Sequence, residues 1–395
     1  MANNLLQNIK TLSKQFLEEV TAIRRHIHQY PELSFEEHKT SAFIQSKLTE
    51  YGIPFESGFV KTGIVALIEG NNPTKKVIAL RADMDALPIV EENKVDYKSK
   101  NEGVMHACGH DVHSSSLLGV AKILNEVKSE FEGTIKLIFQ PGEEKLPGGA
   151  SLMINEGVLD NPAPHAIVGQ HVFPDLPFGK VGFRGGMYMA SCDEIYVTVK
   201  GKGGHAALPH KFVDTVLISC QIINSLQQIV SRKARPDIPC VLSFGKINTT
   251  GGATNIIPEE VKIEGTFRTM NEEWRNEAHK LMVQMAEDIA KSMGESCEFN
   301  IHRGYPFLKN DIKTTEIAKT SAQEYLGEEN VIDLDLRMTG EDFAYYTQHI
   351  PGCFYRLGTG KSSGLHTSTF NVDEQSLEIG MGLMSWIAIN QLQRQ

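Results

Sequence analysis

The chain is short of positive charge. Its 39 lysines and arginines are outnumbered by 49 aspartates and glutamates, for a net charge of −10. A general nucleic-acid binder carries a basic face, so that class is set aside, although a positive pocket can still sit inside an acidic protein. Long apolar runs are missing as well, and no stretch approaches the length needed to span a bilayer. The opening residues, MANNLLQNIKTLSKQFLEEV, form an amphipathic pattern of mixed charge. They lack the basic start, apolar stretch and small-residue cleavage site of a secretory leader. The expectation is a cytoplasmic protein whose partners include neither nucleic acid nor membrane.

Cysteine is sparse and scattered. Cys108, Cys192, Cys220, Cys240, Cys297 and Cys353 form no CxxC pair, and in a large intracellular chain that pattern points to buried thiols or metal ligands rather than disulfides. Internal repeats and low-complexity segments are absent too. What remains is ordinary globular composition, 41% hydrophobic and 22% charged, over 395 residues. That length exceeds one small core and predicts two domains.

Periodicity suggests how they are arranged. Residues 3–29 and 37–51 have helical spacing. VIALRAD (77–83), TIKLIFQ (134–140) and AIVGQHV (166–172) read as buried strands, with a helix predicted over 114–129. Strand, helix and strand in that order give an α/β fold with parallel pairing. Near residue 185 the texture changes. DEIYVTVKG alternates like a strand with one exposed face; a helix over about 212–232, the strands CVLSFGKI and VKIEGTFRT, a helix over about 271–293 and ESCEFNIHRG follow. The series fits a small two-layer α+β domain of ferredoxin-like type. The domains are therefore placed at 1–184 with 304–395, discontinuous, and at 185–303, inserted.

Three segments carry chemistry. MHACGHDVHSS (105–115) holds four candidate ligands, Cys108, His110, Asp111 and His113, between a strand and a helix. A thiolate and an imidazole on either side of one glycine can reach a single borderline-soft cation, and open α/β sheets bind ligands at such strand ends. An isolated CGH would as readily be a buried cysteine beside loop histidines; the density of donors favours a metal. FQPGEEKLPGG (139–149) places Glu143 and Glu144 after a turn, where adjacent carboxylates persist most easily beside a cation. Glu144 could bind metal while Glu143 serves as general base, or the pair could be a solvated acidic turn. In ALRADMDALP (79–88), Asp83 and Asp85 end a strand, and Asp85 could orient a ligand histidine or cap the next turn. His171 and His366 are single histidines near strand ends, of interest because the site needs further ligands. In the inserted domain His205, Asn255 and Arg268 are suited to polarising an amide carbonyl and holding a carboxylate. GKGG lacks the pattern of a phosphate loop.

Taken together, HxYPELSFEE, RADMDALP, MHACGHDVH, FQPGEE, GxHVFP, KGxGGHAAxPH, TNIIP, GTFRT, TGEDFAYY and GLHTSTF resemble the aminoacylase and carboxypeptidase superfamily of two-metal hydrolases. The branch they look most like holds hippurate hydrolase, N-acetyl-diaminopimelate deacetylase and the auxin-conjugate hydrolases. The matches run in order from about residue 24 to 375. The resemblance implies a catalytic α/β domain of the zinc-exopeptidase type with a mixed sheet, and an inserted lid or dimerisation domain that would join a homodimer or tetramer. It implies two divalent metal ions, Mn²⁺ or Zn²⁺ with Co²⁺ or Ni²⁺ as alternatives, held by Cys108, His110, Glu144, His171 and His366. Glu143 matches the general base and Asp85 the orienting aspartate. His205 matches the lid histidine that stabilises the oxyanion, while Asn255 and Arg268 match residues that hold the substrate. Other branches have His-x-Asp where this chain reads Asp83-Met84-Asp85, so the Cys108 thiolate takes the place of a histidine ligand.

The implied reaction is hydrolysis of the amide bond of an N-acyl amino acid, N-acetyl, N-benzoyl or similar. A dipeptidase or carboxypeptidase using the same metal chemistry is the near alternative. A cysteine hydrolase built on Cys108 and a catalytically silent binding protein are the distant ones.

Overall fold

The structure, a computed structural model, describes residues 2–251, 253–360 and 363–394. It divides into two compact units. Met1–Gly186, Lys309–Asp335 and Asp342–Gln395 form the first, and Met187–Leu308 with Leu336–Glu341 the second.

The first unit is built on a mixed eight-stranded sheet. Across it the strands run Phe55–Phe59, Gly63–Glu69, Thr134–Gln140, Val77–Asp83, Ala166–Phe173, Gly352–Gly358, Val181–Phe183 and Val331–Asp333. The four in the middle, from Thr134–Gln140 to Gly352–Gly358, are mutually parallel. Val77–Asp83 and Thr134–Gln140 are buried at every position. Strands covered on both faces read as unbroken apolar runs, which is why VIALRAD and TIKLIFQ stand out in the sequence.

Helices Ala2–Gln29, His110–Glu126 and Ser376–Gln393 pack on one another, and the latter two also pack against Val77–Asp83. Ser376–Gln393 is buried on nearly all sides, so it lacks the one-sided apolar stripe of a surface helix. Its approach to His110–Glu126 is close. A Cβ on Gly119 would lie 2.6 Å from Met381 Sδ and 3.1 Å from Val20 Cγ2, so the three helices meet at a position that admits only glycine without movement.

The second unit has a four-stranded antiparallel sheet in the order Cys240–Thr249, Glu260–Thr269, Asp193–Lys200, Ser296–Arg303. Along Asp193–Lys200 buried positions alternate with more accessible ones, the period of a sheet with one covered face. Ile195, Val197 and Val199 share a core with Ile218, Ile222, Leu226, Ala278 and Met282 of two helices. The first of these, Thr215–Gln228, is capped by Asp214, whose side chain accepts from Leu217 N at 2.9 Å. It passes into a π-helical turn at Ile229–Lys233, so the helix placed at 212–232 is shorter and changes pitch. The second, Glu272–Ser292, is capped by Asn271. Among the described residues no helix is long and apolar enough to cross a membrane.

Candidate metal centre

Parallel strands end together, so the sheet delivers several side chains to one edge. In register, Asp83 stands opposite Gln140. Arg81 and Asp83, two apart on one strand, point the same way. Arg81 donates to Asp83 Oδ2 at 2.6 Å, to Asp342 Oδ1 at 2.7 Å and to Gln140 Oε1 at 2.9 Å. Gln140 Nε2 in turn donates to both oxygens of Asp342. All four side chains are fully buried, a polar brace beneath the site.

The helix beginning at His110 starts four residues earlier than the sequence suggested. Its N-cap is Gly109 at φ 84°, and a Cβ there would come within 2.5 Å of Val172 Cγ2. Both the left-handed backbone and the close strand demand glycine. The sharp entry puts His110 and His113 in the first turn of the helix rather than in a loop.

Hydrogen bonds set the imidazole tautomers. His110 donates from Nδ1 to Asp85 Oδ1 at 3.1 Å, and its Nε2, a lone pair whenever the ring is neutral, is buried and without a hydrogen-bond partner. His171 donates from Nδ1 to the carbonyl of Val172 at 2.7 Å, which turns Nε2 to within 3.5 Å of Cys108 Sγ. Asp85 Oδ2 also accepts from Ser34 Oγ at 2.6 Å and from the backbone N–H of Glu144 at 2.9 Å. One carboxylate thereby fixes a histidine on the helix and the acidic turn after Gln140.

Among the groups of donor atoms, two share Cys108, and a third joins His110 to Glu143 and Glu144. The donor atoms of Cys108, His110 and His171 lie within 4.8 Å of one another, and so do those of Cys108, Glu144 and His366. His366 Nε2 stands 3.2 Å from Glu144 Oε1 and the ring is half-exposed. Its backbone sits at φ 61°, a conformation seldom adopted by residues other than glycine and concentrated at functional sites. The N–H bond to the carbonyl of Ala107 at 2.8 Å holds it beside the CGH segment. Glu143 is buried, its Oε2 4.0 Å from His110 Nε2.

The electrostatics favour a cation. Burial, then Glu144, Glu143 and Asp83, push the Cys108 thiol well above its usual value. Burial alone would lower His110, but Asp83, Asp85 and Glu144 carry it up to about 10. Burial, with Arg356 and His113 nearby, keeps His171 neutral, well below the usual imidazole range. An orphaned buried imidazole nitrogen, a second lone pair aimed at a thiol and flanking carboxylates are a donor set that fits divalent metal.

Two residues of the CGHDVH run are not donors to this cluster. Asp111 turns away, accepting from Arg24 Nε at 2.7 Å and bonding His28 Nδ1 at 2.8 Å. His113 uses both nitrogens: Nδ1 donates to Asp83 Oδ1 at 2.6 Å, and Nε2 accepts from the Val172 N–H at 2.9 Å. It therefore props the strand that carries His171. Sequence reasoning passed over Arg81, whose spacing from Asp83 was the available signal, and over Ser34, which lies within the PELSFEE motif.

His205, Asn255 and Arg268 belong to the second unit. His205 pairs with Ile256 across a two-stranded ribbon, and Ala206 N donates to the carbonyl of Asn255, so His205 and Asn255 are neighbours. The exposed His205 ring accepts from Ala207 N at its Nδ1, 3.1 Å away, which leaves Nε2–H as a donor. Arg268 donates to the carbonyl of Met338 at 3.1 Å.

The model of peptidase family M20/M25/M40 matches residues 79–390. The chain belongs to that family. N-acetyl-L-cysteine deacetylase of Bacillus subtilis (strain 168) is 43% identical over 371 residues, 94% of this chain and 86% of the relative. Thermostable carboxypeptidase 2 of Saccharolobus solfataricus is 38% identical, with 98% of each chain covered. Among solved structures, the Bacillus subtilis YXEP protein, described as a dinuclear metal-binding peptidase of the M20 family, superposes with a TM-score of 0.83. Its identity is 35%, covering 96% of this chain and 99% of that one. The M20 family is metal-dependent, and this member is a hydrolase.

Proposed function

We propose that the enzyme hydrolyses the amide bond of N-acyl amino acids, releasing a free amino acid and a carboxylic acid. The proposed centre holds two divalent ions, Mn²⁺ or Zn²⁺, on Cys108, His110, Glu144, His171 and His366. The observation that carries this reading is the convergence of Cys108, His110, Glu144, His171 and His366 into overlapping donor groups, a ligand set that would hold divalent metal. The deacetylase and the dinuclear peptidase among its relatives point the same way.

When bound, such ions supply Lewis acidity, polarising the carbonyl and bringing the pKa of water towards about 7. The chain's own groups do the rest. Glu143 takes a proton from the attacking water and returns it to the leaving amine, serving as base and then as acid. Asp85 holds His110 in its ligand tautomer. The Nε2–H of His205 is the donor offered to the tetrahedral oxyanion. Asn255 and Arg268 hold the substrate, Arg268 at the α-carboxylate. In this reading the enzyme acts in the cytoplasm, where its six thiols stay reduced. It assembles as a homodimer or tetramer through the second unit, whose edge strand Cys240–Thr249 carries the exposed Val241 and Ile247.

The test is hydrolysis of N-acetyl and N-benzoyl amino acids by purified protein, before and after chelation and again with Mn²⁺ or Zn²⁺ restored. Activity that is lost and regained supports the reading, whereas activity indifferent to chelator refutes it. The carboxypeptidase relative keeps peptide substrates as the second reading, and dipeptides cleaved faster than any N-acyl amino acid would establish it.

A further inference from the structure

A cavity of about 680 Å³ opens beside Glu144, lined by residues of the first unit alone. Its wall is mostly apolar, with Leu33, Leu87, Pro88, Leu146, Pro147 and Leu152 facing it. The wall also carries the exposed Lys61 and Lys145 and two carboxylates, Glu36 and Glu144, and the carboxylates disfavour a further anion beside them.

The backbone around this cavity is strained in an unusual way. Five non-glycine residues among those described have positive φ, namely Phe35 (70°), Val60 (47°), Lys61 (73°), Asn72 (48°) and His366 (61°). The first three all line this cavity. For a β-branched or bulky residue such a conformation is a true outlier, and strain of this kind persists only where the surroundings enforce it. The Val60 N–H is held by Glu156 Oε2 at 2.7 Å, and the Phe35 turn by Glu37, fully buried. Its Oε1 accepts from Phe35 N and from Gly142 N, each at 2.8 Å, and its Oε2 accepts from Thr62 Oγ1 at 2.8 Å. One carboxylate thus gathers the Phe35 turn, the segment after Lys61 and the turn leading to Glu143 and Glu144. The Phe35 ring seals the joint, lying where a Cβ on Gly142 would be 2.3 Å from it.

We propose that this cavity is the acyl pocket, shaped for a bulky apolar acyl group, an aromatic ring or a medium-length alkyl chain, rather than for acetyl. The inference rests on the amidohydrolase reading above. An N-acyl amino acid has one half that carries a carboxylate and one that does not, and an apolar wall rigidly joined to the Glu143–Glu144 turn suits the second. Each methylene buried there adds favourable transfer free energy, and a pocket of fixed shape converts it into selectivity.

The experiment compares kcat/KM of the metal-loaded enzyme on N-acetyl-, N-benzoyl- and N-octanoyl-L-methionine, then on N-acetyl derivatives of alanine, methionine and phenylalanine. The expected result is at least about a tenfold preference for benzoyl or octanoyl over acetyl. Leu146→Glu and Leu33→Glu place a charge on solvent-accessible parts of the wall, and each should cut that ratio about tenfold. Product inhibition of the unaltered enzyme provides a second measurement independent of variant folding. Octanoate should inhibit at a concentration at least about tenfold lower than acetate. Equal kcat/KM across the acyl series, or a preference that follows only the amino-acid side chain, would overturn the pocket while leaving the amidohydrolase standing. No hydrolysis of any N-acyl substrate would overturn both.

Discussion

Asp85 holds His110 through Nδ1 at 3.1 Å, and its second oxygen takes the Ser34 hydroxyl and the Glu144 N–H. Both carboxylate oxygens are used as acceptors from three donors. An asparagine has one acceptor oxygen, so Asp85→Asn must leave at least one of these donors facing an N–H. The expected outcome is a 10- to 100-fold loss of metal affinity, roughly the usual effect of removing a group that orients a ligand. Metal titration of the apoprotein checks it, and an unchanged affinity would show that His110 does not need Asp85.

Glu143 and Glu144 are neighbours in sequence to which the proposed mechanism gives different roles. Both lie within reach of His110, and Glu144 also stands with Cys108 and His366. Glu143→Gln should lower kcat by at least about 100-fold, the usual scale for a lost general base, with metal content retained. Glu144→Gln should lose metal first and activity as a consequence. Metal analysis beside kinetics separates them, and an active, metal-loaded Glu143→Gln enzyme would remove Glu143 from the reaction.

Arg81 is fully buried between Asp83 and Asp342. Removing it leaves two carboxylates in the core without the cation bonded to both. Arg81→Met should cost on the order of 3–5 kcal/mol, as breaking a buried ion pair generally does, read as a fall in denaturant midpoint at unchanged slope. A loss below about 1 kcal/mol would show that the pair is dispensable.

Much of this arrangement is visible in the sequence, and what is hidden has physical reasons. VIALRAD and TIKLIFQ announce buried strands because both of their faces are covered. The donor residues of the cluster are legible because cysteine, histidine and paired glutamates are rare in such density. The helix start at His110 is hidden because its cap is Gly109 in a left-handed conformation, where the sequence offers no serine, threonine or aspartate at the cap position. Asp111 looks like a ligand until Arg24, 87 positions away in sequence, is seen to claim it. The acyl cavity leaves no mark in composition, since Phe35, Val60 and Lys61 are residue types that give no warning of positive φ.

The second unit has its own acid-sensitive brace. Asp193 is buried, accepting from Arg275 Nε at 2.9 Å and from the Gly304 N–H at 3.1 Å, with His279 Nε2 at 2.7 Å. Burial works to raise its pKa, but His279 and Arg275 bring it down to about 2. Its folded value lies below the unfolded value of about 4. Its stabilising contribution is therefore complete above about pH 4 and is lost as pH falls towards 2, on the order of 2 kcal/mol in all. The difference in stability between the unaltered protein and Asp193→Asn should shrink across that window. A difference that stays constant from pH 5 to 2 would mean that folding leaves the Asp193 pKa unshifted.

Cysteine chemistry tests the centre from another side. Cys108 is buried among carboxylates that disfavour its thiolate, while Cys220 is exposed. A nucleophilic cysteine needs the opposite surroundings, cationic and accessible. Brief treatment of the metal-loaded enzyme with iodoacetamide near neutral pH should label Cys220, spare Cys108 and leave most of the activity. A chelator should abolish activity without any labelling. Inactivation that follows modification of Cys108 one-for-one, together with indifference to chelators, would mean that the thiol attacks the substrate. If Cys108 becomes labelled only after metal is stripped, then the bound cation shields the sulfur, which is the outcome a ligand role for Cys108 predicts.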